Sequence, residues 1–318
     1  MTLKAQCIII NIIIMQRILL MKKTLPIIAI ALIFLVGVGI LAYPLVSSVI
    51  NNIADRQHAQ DEIEQIKNMD KKQRDSLIKE ADKYNRDLIS TVLLTDPFDA
   101  ATYEKISESY RNTFNVNSDG LIGYIEIPKI DVFLPIYHGT STEVLEKGAG
   151  HLDNTSFPVG GKSTHSVISA HSAFPTRTFF DYLPELKKGD KFIIHILNEY
   201  LTYQVDQIKT VLPDETKDLY VVDGKDYVTL LTCTPYSINT HRLLVRGERV
   251  PNDADTHESV GKIVTAEEGS VFLLGYRINY LYAVIAIVAF ISAVGLIVFL
   301  VVRRSKNKSK LTREKDDG

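Results

Sequence analysis

The chain has 318 residues and a formal net charge of −2, so nothing in it indicates a polyanion-binding surface or a nucleic-acid partner. It contains two cysteines, Cys7 in an isoleucine-rich N-terminal run and Cys233 in the middle of the chain. Cys233 has no second cysteine near it, which excludes a disulfide framework for the main domain. A lone thiol needs another explanation, and catalysis is one.

The N-terminal part carries an apolar segment. Residues 1–24 end in the basic pair Lys22 and Lys23, and residues 25–46 are almost unbroken apolar sequence, about the ~20 residues that cross a bilayer core. The alternative is a cleaved signal peptide. Because no clean small-x-small site follows the run, we expect an uncleaved membrane helix. The sequence from Met21 looks like a natural beginning, and we expect translation to start there.

Residues 51–118 form a predicted helical region. The charged stretch 55–94 carries Leu77, Ala81, Tyr84 and Leu88 at spacings of 4, 3 and 4, which predicts a helix with a narrow apolar stripe. The triplet Asp96-Pro97-Phe98 interrupts it. Asp at an N-cap and Pro at the first helical position favour the start of a second helix, which would end near residue 112.

Residues 119–252 alternate short β-type runs with turns. The predicted strands cover 123–127, 132–137, 166–170, 192–197, 201–212, 228–233 and 243–250. Many short strands with few helices predict a mainly β fold class, a closed or nearly closed β-barrel with short helices.

The C-terminal part is a predicted linker, 253–279, followed by a second apolar run, 280–302, and a basic tail, 303–318. Basic residues lie before the first apolar run and after the second. The positive-inside rule therefore places both termini in the cytoplasm and residues 51–279 outside the cell. We expect a two-pass protein of the cell membrane, with two transmembrane helices flanking the barrel and the lipid bilayer as a partner.

The stretch from Leu230 to Leu243 carries the strongest chemical signal. A predicted strand ends at Cys233, a turn containing Pro, Ser and Asn follows, and the strand signal resumes after Arg242. If these strands pair as a hairpin, the thiol and the guanidinium lie near each other at its mouth. A cation favours the nucleophilic thiolate and can donate to an oxyanion. The alternative is a buried structural cysteine beside a surface arginine.

This stretch, with Val245 to Arg249 after it, resembles the signature of the sortase transpeptidases, and most of all their pilin-polymerising class C branch. A second stretch, Val167 to His171 followed by Pro175, Phe179 and Phe180, resembles the histidine segment of the same family. The resemblance covers roughly residues 120–249. Its implied fold is a closed sortase-type β-barrel.

The resemblance also implies the chemistry. Cys233 would attack the Thr carbonyl of an LPXTG-like sorting signal on a secreted pilin. His171 would be the general acid for the departing amine, and Arg242 would hold the substrate and oxyanion. A pilin lysine would then resolve the thioester, without any cofactor. An N-terminal lid would place Asp96 against Arg242 and Phe98 over Cys233; we call these two the lid residues.

Two departures from the family pattern are visible. Residues 172–175 read Ser-Ala-Phe-Pro, where many class C members have an arginine and a glycine, and this concerns the shape of the nearby groove. Phe98 replaces the tryptophan that is also common at the lid, so any shielding here must be steric.

Two alternatives to pilin polymerisation stay open. One is a housekeeping-type sortase, which attaches proteins to cell-wall precursor and differs in the acceptor amine. The other is a non-catalytic, membrane-anchored adhesion or scaffold domain with a buried Cys233. The eight histidines and the single external cysteine show no metal-ligand spacing, so no metal site is expected.

Overall fold

The structure is a computed structural model that describes residues 69–88, 108–115, 119–197, 199–252, Asp96 and Phe98, and parts of the segments 15–57 and 270–303. The chain forms two compact units. The first is Met1–Val46 with Ile278–Gly318, and the second is Ser47–Arg277.

One helix in the described part of the chain, Ala29–Ser48, is long and apolar enough to cross a membrane. A membrane anchor and a signal sequence both fit it. A second apolar helix, Val284–Ile297, falls inside the predicted span 280–302 but is shorter than a full crossing over the described residues. The predicted two-pass topology therefore stays a prediction.

Eight strands close into a barrel in the order β1-β2-β3-β4-β7-β8-β6-β5, so the fold-class prediction of a mainly β closed barrel is confirmed. The β2–β3 and β4–β7 pairs are parallel and the others antiparallel. The strands are β1 Leu121–Ile127, β2 Val132–His138, β3 Ala149–His151, β4 Thr164–Ser169, β5 Lys191–Ile196, β6 Glu199–Val211, β7 Asp226–Thr234 and β8 His241–Val250.

Seven of these strands overlap predicted ones, and β3 was missed. It has three residues, one of them glycine, and too few positions to show an alternating pattern. Within the predicted linker 253–279, β9 (Ser270–Leu273) and β10 (Tyr276–Asn279) form a two-stranded sheet.

Between residues 69 and 252, the described residues of the second unit form three α-helices beside the barrel: α1 Lys71–Asp87, α2 Glu108–Asn112 and α3 Thr142–Leu145. Helix α1 lies within the predicted helix 55–94 and packs its stripe on the barrel core, with Ala81 fully buried and Leu77 and Tyr84 partly buried. Asn85 fixes it further: its amide donates to the Phe157 carbonyl (3.1 Å) and accepts the Phe157 N–H (2.7 Å).

Helix α2 is tied to the barrel through the fully buried Tyr110. Its hydroxyl lies 2.8 Å from His151 Nδ1, donates to the His151 carbonyl at 2.9 Å and accepts the Gly139 N–H at 3.0 Å. Its ring stacks on Phe157 with 5.4 Å between centroids. The helical region therefore reaches the barrel core through a buried polar network, in which an unpaired group would be costly.

Tyr110→Phe should lower the free energy of unfolding by about 1–3 kcal/mol, because Gly139 and His151 lose a buried partner. The measurement is urea unfolding of the full chain in detergent. Tyr84→Phe is the matched control, since it removes a less deeply buried hydroxyl whose bond to Asp153 is long (3.3 Å), and it should cost less. Equal losses in the two variants would contradict the importance of the network.

Candidate active site

The hairpin of β7 and β8 places Cys233 directly opposite Arg242. Cys233 is the second-last residue of β7 and Arg242 the second residue of β8, so both lie at one end of the barrel. Cys233 is 9% exposed and Arg242 is 8% exposed. The juxtaposition expected from the hairpin prediction is present, and a thiol and a guanidinium share one largely buried site.

His171 reaches the same end of the barrel from β4. Strand β4 runs parallel to β7, with Ser169 opposite Leu231. His171 and Cys233 each lie two residues further along, so this register brings them to the same end of the barrel. Two side-chain bonds hold this juncture. Thr232 Oγ1 donates to the Ala170 carbonyl (2.7 Å), and Ser172 Oγ donates to the Cys233 carbonyl (2.8 Å). The residues on either side of His171 are thus bonded to the strand that carries the thiol.

Asp96 binds the guanidinium of Arg242 with both carboxylate oxygens. Arg242 Nε donates to Oδ1 at 2.8 Å and Nη2 donates to Oδ2 at 2.5 Å, while Nη1 donates to the carbonyls of Asn239 and His241, each at 3.0 Å. The Arg242 side chain is 10% exposed and the Asp96 side chain 14%. This is the bidentate, charge-assisted geometry that an arginine offers to a carboxylate.

Phe98 lies across the same site. Its ring centroid is 5.3 Å from Arg242 Cζ and 5.6 Å from the centroid of the His171 ring. It also packs against a buried apolar cluster, whose members are Leu152, Val167, Val211, Leu219, Leu231 and Leu244. The two lid residues therefore contact two of the three predicted catalytic side chains. Pro97 of the predicted triplet lies outside the described residues.

The electrostatics of this arrangement keep the thiol protonated. Burial raises the pKa of Cys233 to about 11, the charge of Asp96 adds to the rise, and Arg242 opposes it. Burial lowers the pKa of His171, and the charge of Glu146 opposes that change. Near neutral pH both groups are therefore uncharged, chiefly because they are buried. The thiol of Cys233 is therefore in its protonated, weakly nucleophilic form.

Four other histidines are bonded inside the protein. His151 and His165 have pKa values lowered to about 3 and 4 by burial. His138 lies between the carbonyls of Gly120 and Thr113, and His195 faces Glu126 at 2.9 Å. Among the residues that the structure describes, no three His, Cys, Asp or Glu side chains are grouped to hold a metal.

The structure also brings residues to the site that the sequence analysis did not assign. Phe174 stacks on His171, with 5.6 Å between centroids and 15° between planes. Asp181 accepts backbone hydrogen bonds from the loop that follows His171. Neither shows a local signal, because an aromatic near a proline and an aspartate before a 3₁₀ turn are common in any domain.

Comparison with known proteins places these residues in a family. A family model described as Sortase domain matches residues 125–250. Sortase D of Bacillus subtilis is 30% identical over 159 residues, which are 48% of this chain and 77% of that protein. The solved structure of Streptococcus pneumoniae sortase C is 44% identical, with a TM-score of 0.57, over 62% of this chain and 98% of its own. The pilus-related sortase C of Group B Streptococcus is 48% identical, with a TM-score of 0.55, over 62% and 96%.

Replacing both lid residues (Asp96→Ala with Phe98→Ala) should speed the alkylation of Cys233 at pH 7.5 by roughly 10-fold or more, because the thiol gains solvent and loses a neighbouring anion. The pH midpoint of alkylation should move down from about 11. The measurement is the rate constant with iodoacetamide, site-resolved by mass spectrometry.

Asp206→Ala is the matched control, since Asp206 binds Arg246 in the same bidentate way elsewhere on β8. It should leave the alkylation rate of Cys233 unchanged. Equal rates in the wild type and the double variant would mean that Asp96 and Phe98 do not restrict the thiol.

Proposed function

Because the chain belongs to the sortase family of cysteine transpeptidases, we propose that it is a pilin-polymerising sortase. It cleaves an LPXTG-like sorting signal on a secreted pilin through a thioester on Cys233 and transfers the acyl group to a pilin lysine. The observation that carries the proposal is the bidentate contact of Asp96 with Arg242, in a chain 44% and 48% identical to solved sortase C structures.

The first half-reaction starts when Asp96 leaves Arg242. The substrate carbonyl oxygen then takes the Nε and Nη2 edge that the carboxylate occupied, while Nη1 keeps its bonds to Asn239 and His241. The Cys233 proton passes to His171, and Sγ attacks the Thr carbonyl carbon. The oxyanion accepts hydrogen bonds from Arg242. When it collapses, the Thr–Gly amide bond breaks, and the imidazolium of His171 protonates the departing amine.

The second half-reaction forms the new bond. A neutral lysine amine attacks the thioester carbonyl, and His171, again uncharged, takes the proton from the amine nitrogen. The tetrahedral intermediate expels the Cys233 sulfur, which regains a proton, and an isopeptide bond remains. Each step moves protons only between His171, Cys233 and the substrate amines, so the chemistry requires no cofactor.

The acceptor separates the proposal from its nearest alternative. A housekeeping-type sortase would use the same three residues with a cell-wall precursor amine. The lid residues favour the polymerising class, because an N-terminal lid belongs to the class C branch that the sequence resembles and is typically absent from the anchoring class. Purified pilin with its acceptor lysine replaced should then yield cleavage without polymer.

The anchored position of the enzyme is part of the proposal. The helix Ala29–Ser48 supplies one membrane anchor. The apolar run 280–302 and its basic flank Arg303 to Lys310 supply the second, with both termini in the cytoplasm. The catalytic unit then faces the outside, where secreted pilins emerge.

Cys233→Ala should abolish both thioester formation and polymer, because it removes the attacking atom. His171→Ala should lose nearly all activity. Arg242→Lys should lose at least about 100-fold in kcat/KM, since an ammonium cannot reproduce the guanidinium fork. The measurement is peptide cleavage together with pilin laddering on gels.

His241→Ala is the matched control for His171→Ala, and Arg246→Lys is the matched control for Arg242→Lys. Arg246 makes a similar carboxylate pair on the same strand, and His241 adjoins Arg242 in the chain. Both should retain most of the activity. Substantial polymer from Cys233→Ala would end the enzyme assignment.

A reporter fused after Lys310 should behave as cytoplasmic, and one inserted near Asn117 as external, because the basic flanks stay inside. Paired alkaline phosphatase and fluorescent-protein fusions measure this. An external Lys310 fusion would show that the basic tail does not set the orientation.

A further inference from the structure

The loop that follows β4 carries His171 and returns to its own start. Phe180 N–H donates to the His171 carbonyl at 2.9 Å, which closes residues 171–180 into a compact loop. Asn51 contacts it from outside, where its side-chain amide donates to the Thr176 carbonyl at 3.1 Å. The position of the imidazole thus depends on what holds the inside of this loop.

The side chain of Asp181 binds the loop 171–180 from its inner side. Its side chain is largely buried, with the residue 7% exposed, and its two carboxylate oxygens have different partners. Oδ1 accepts the Ala173 N–H at 2.8 Å, and Oδ2 accepts the Phe179 N–H at 2.9 Å. The carboxylate therefore joins the two ends of the loop from within. Burial raises the pKa of Asp181 and these two hydrogen bonds lower it, so the bonds offset part of the cost of keeping the charge.

The bond from Asp181 to Ala173 is linked to the His171 ring through Ala173 and then Phe174. Ala173 has a φ of 64°, a left-handed conformation that a residue with a Cβ adopts only when its surroundings enforce it. The next residue, Phe174, stacks on His171 and packs against Phe179 at 5.5 Å. If Ala173 relaxed to negative φ, the ring of Phe174 would leave the imidazole.

The loop is also coupled to the nucleophile. Ser172, between His171 and Ala173, donates its hydroxyl to the Cys233 carbonyl at 2.8 Å. A change in the backbone at Ala173 would therefore disturb the attachment to β7 as well as the stacking on His171. Glu146 is the charged group that faces His171 from the end of α3.

We propose that Asp181 is a positioning residue, which fixes the His171 imidazole by holding Ala173 in its left-handed conformation through a two-oxygen bridge across the loop. The proposal rests on the proposed function for its kinetic consequence only. An amide of the same shape cannot replace the carboxylate, because it offers one acceptor oxygen and would turn an N–H₂ donor toward the other backbone N–H.

The experiment is Asp181→Asn in the full chain in detergent, with two readouts. The first is cleavage of an LPXTG-like peptide, for which kcat should fall about 10-fold while KM changes less than about twofold, because the imidazole is displaced and the substrate groove is kept. The second is carbethoxylation of His171 by diethylpyrocarbonate, followed by mass spectrometry across pH. The pH midpoint of this modification should rise toward that of an ordinary histidine, because the imidazole ring becomes more exposed to solvent.

Asp190→Asn is the matched control. Asp190 also accepts a backbone N–H, from Lys187 at 2.6 Å, and pairs with Lys129, but it lies in the turn before β5. It should leave both readouts at wild-type values. An unchanged kcat and an unchanged His171 midpoint in a folded Asp181→Asn chain would overturn the proposal. If the wild type failed to cleave the peptide, the proposed function would fall, and the carbethoxylation readout would still decide the role of Asp181.

Two further variants test the route. Ala173→Gly in the Asp181→Asn background should recover at least about threefold in kcat, because glycine adopts positive φ without a steric penalty. If Asp181→Asn does not fold, Phe174→Leu removes the stacked ring without disturbing the buried carboxylate. It should raise the carbethoxylation midpoint of His171, and an unchanged midpoint would contradict the proposed route.

Discussion

The antiparallel register of β7 and β8 puts Cys233 opposite Arg242, and the chemistry of the site depends on that alignment. A slip of one residue would turn every side chain of a strand to the other face of the sheet and separate the thiol from the guanidinium. The barrel prevents it, because β8 is bonded to β6 as well as to β7 and is not free at either edge. Closure of the sheet thus fixes a pair of reactive groups.

In the proposed mechanism, one edge of the Arg242 guanidinium binds first Asp96 and then the substrate. Backbone carbonyls hold its Nη1, so the Nε and Nη2 edge is oriented before any partner arrives. Asp96 occupies that edge in the structure. A substrate oxygen that used the same donors would have to displace it. Binding at the site and contact with the lid residues are then mutually exclusive, and substrate selects the population in which Asp96 has left.

Local pattern in the sequence was enough for most of the barrel, because strand alternation and turn residues are short-range signals. The hairpin carrying Cys233 and Arg242 was predictable for the same reason. His171 was different: its approach to Cys233 depends on a parallel pairing of β4 with β7 across 62 residues of chain, and only the family resemblance indicated it. Asp181 was not predictable, since its role depends on backbone N–H groups whose direction is known only once the loop is folded.

The most direct measurement is the mass of the acyl-enzyme. A chain with both lid residues replaced by alanine is incubated with an LPXTG-like peptide without an acceptor amine, then digested and mapped. The account predicts that the fragment containing Cys233 gains the peptide residues up to and including Thr, and that an added amine removes them. No adduct, or an adduct on a fragment without Cys233, would contradict the assignment of Cys233 as the nucleophile.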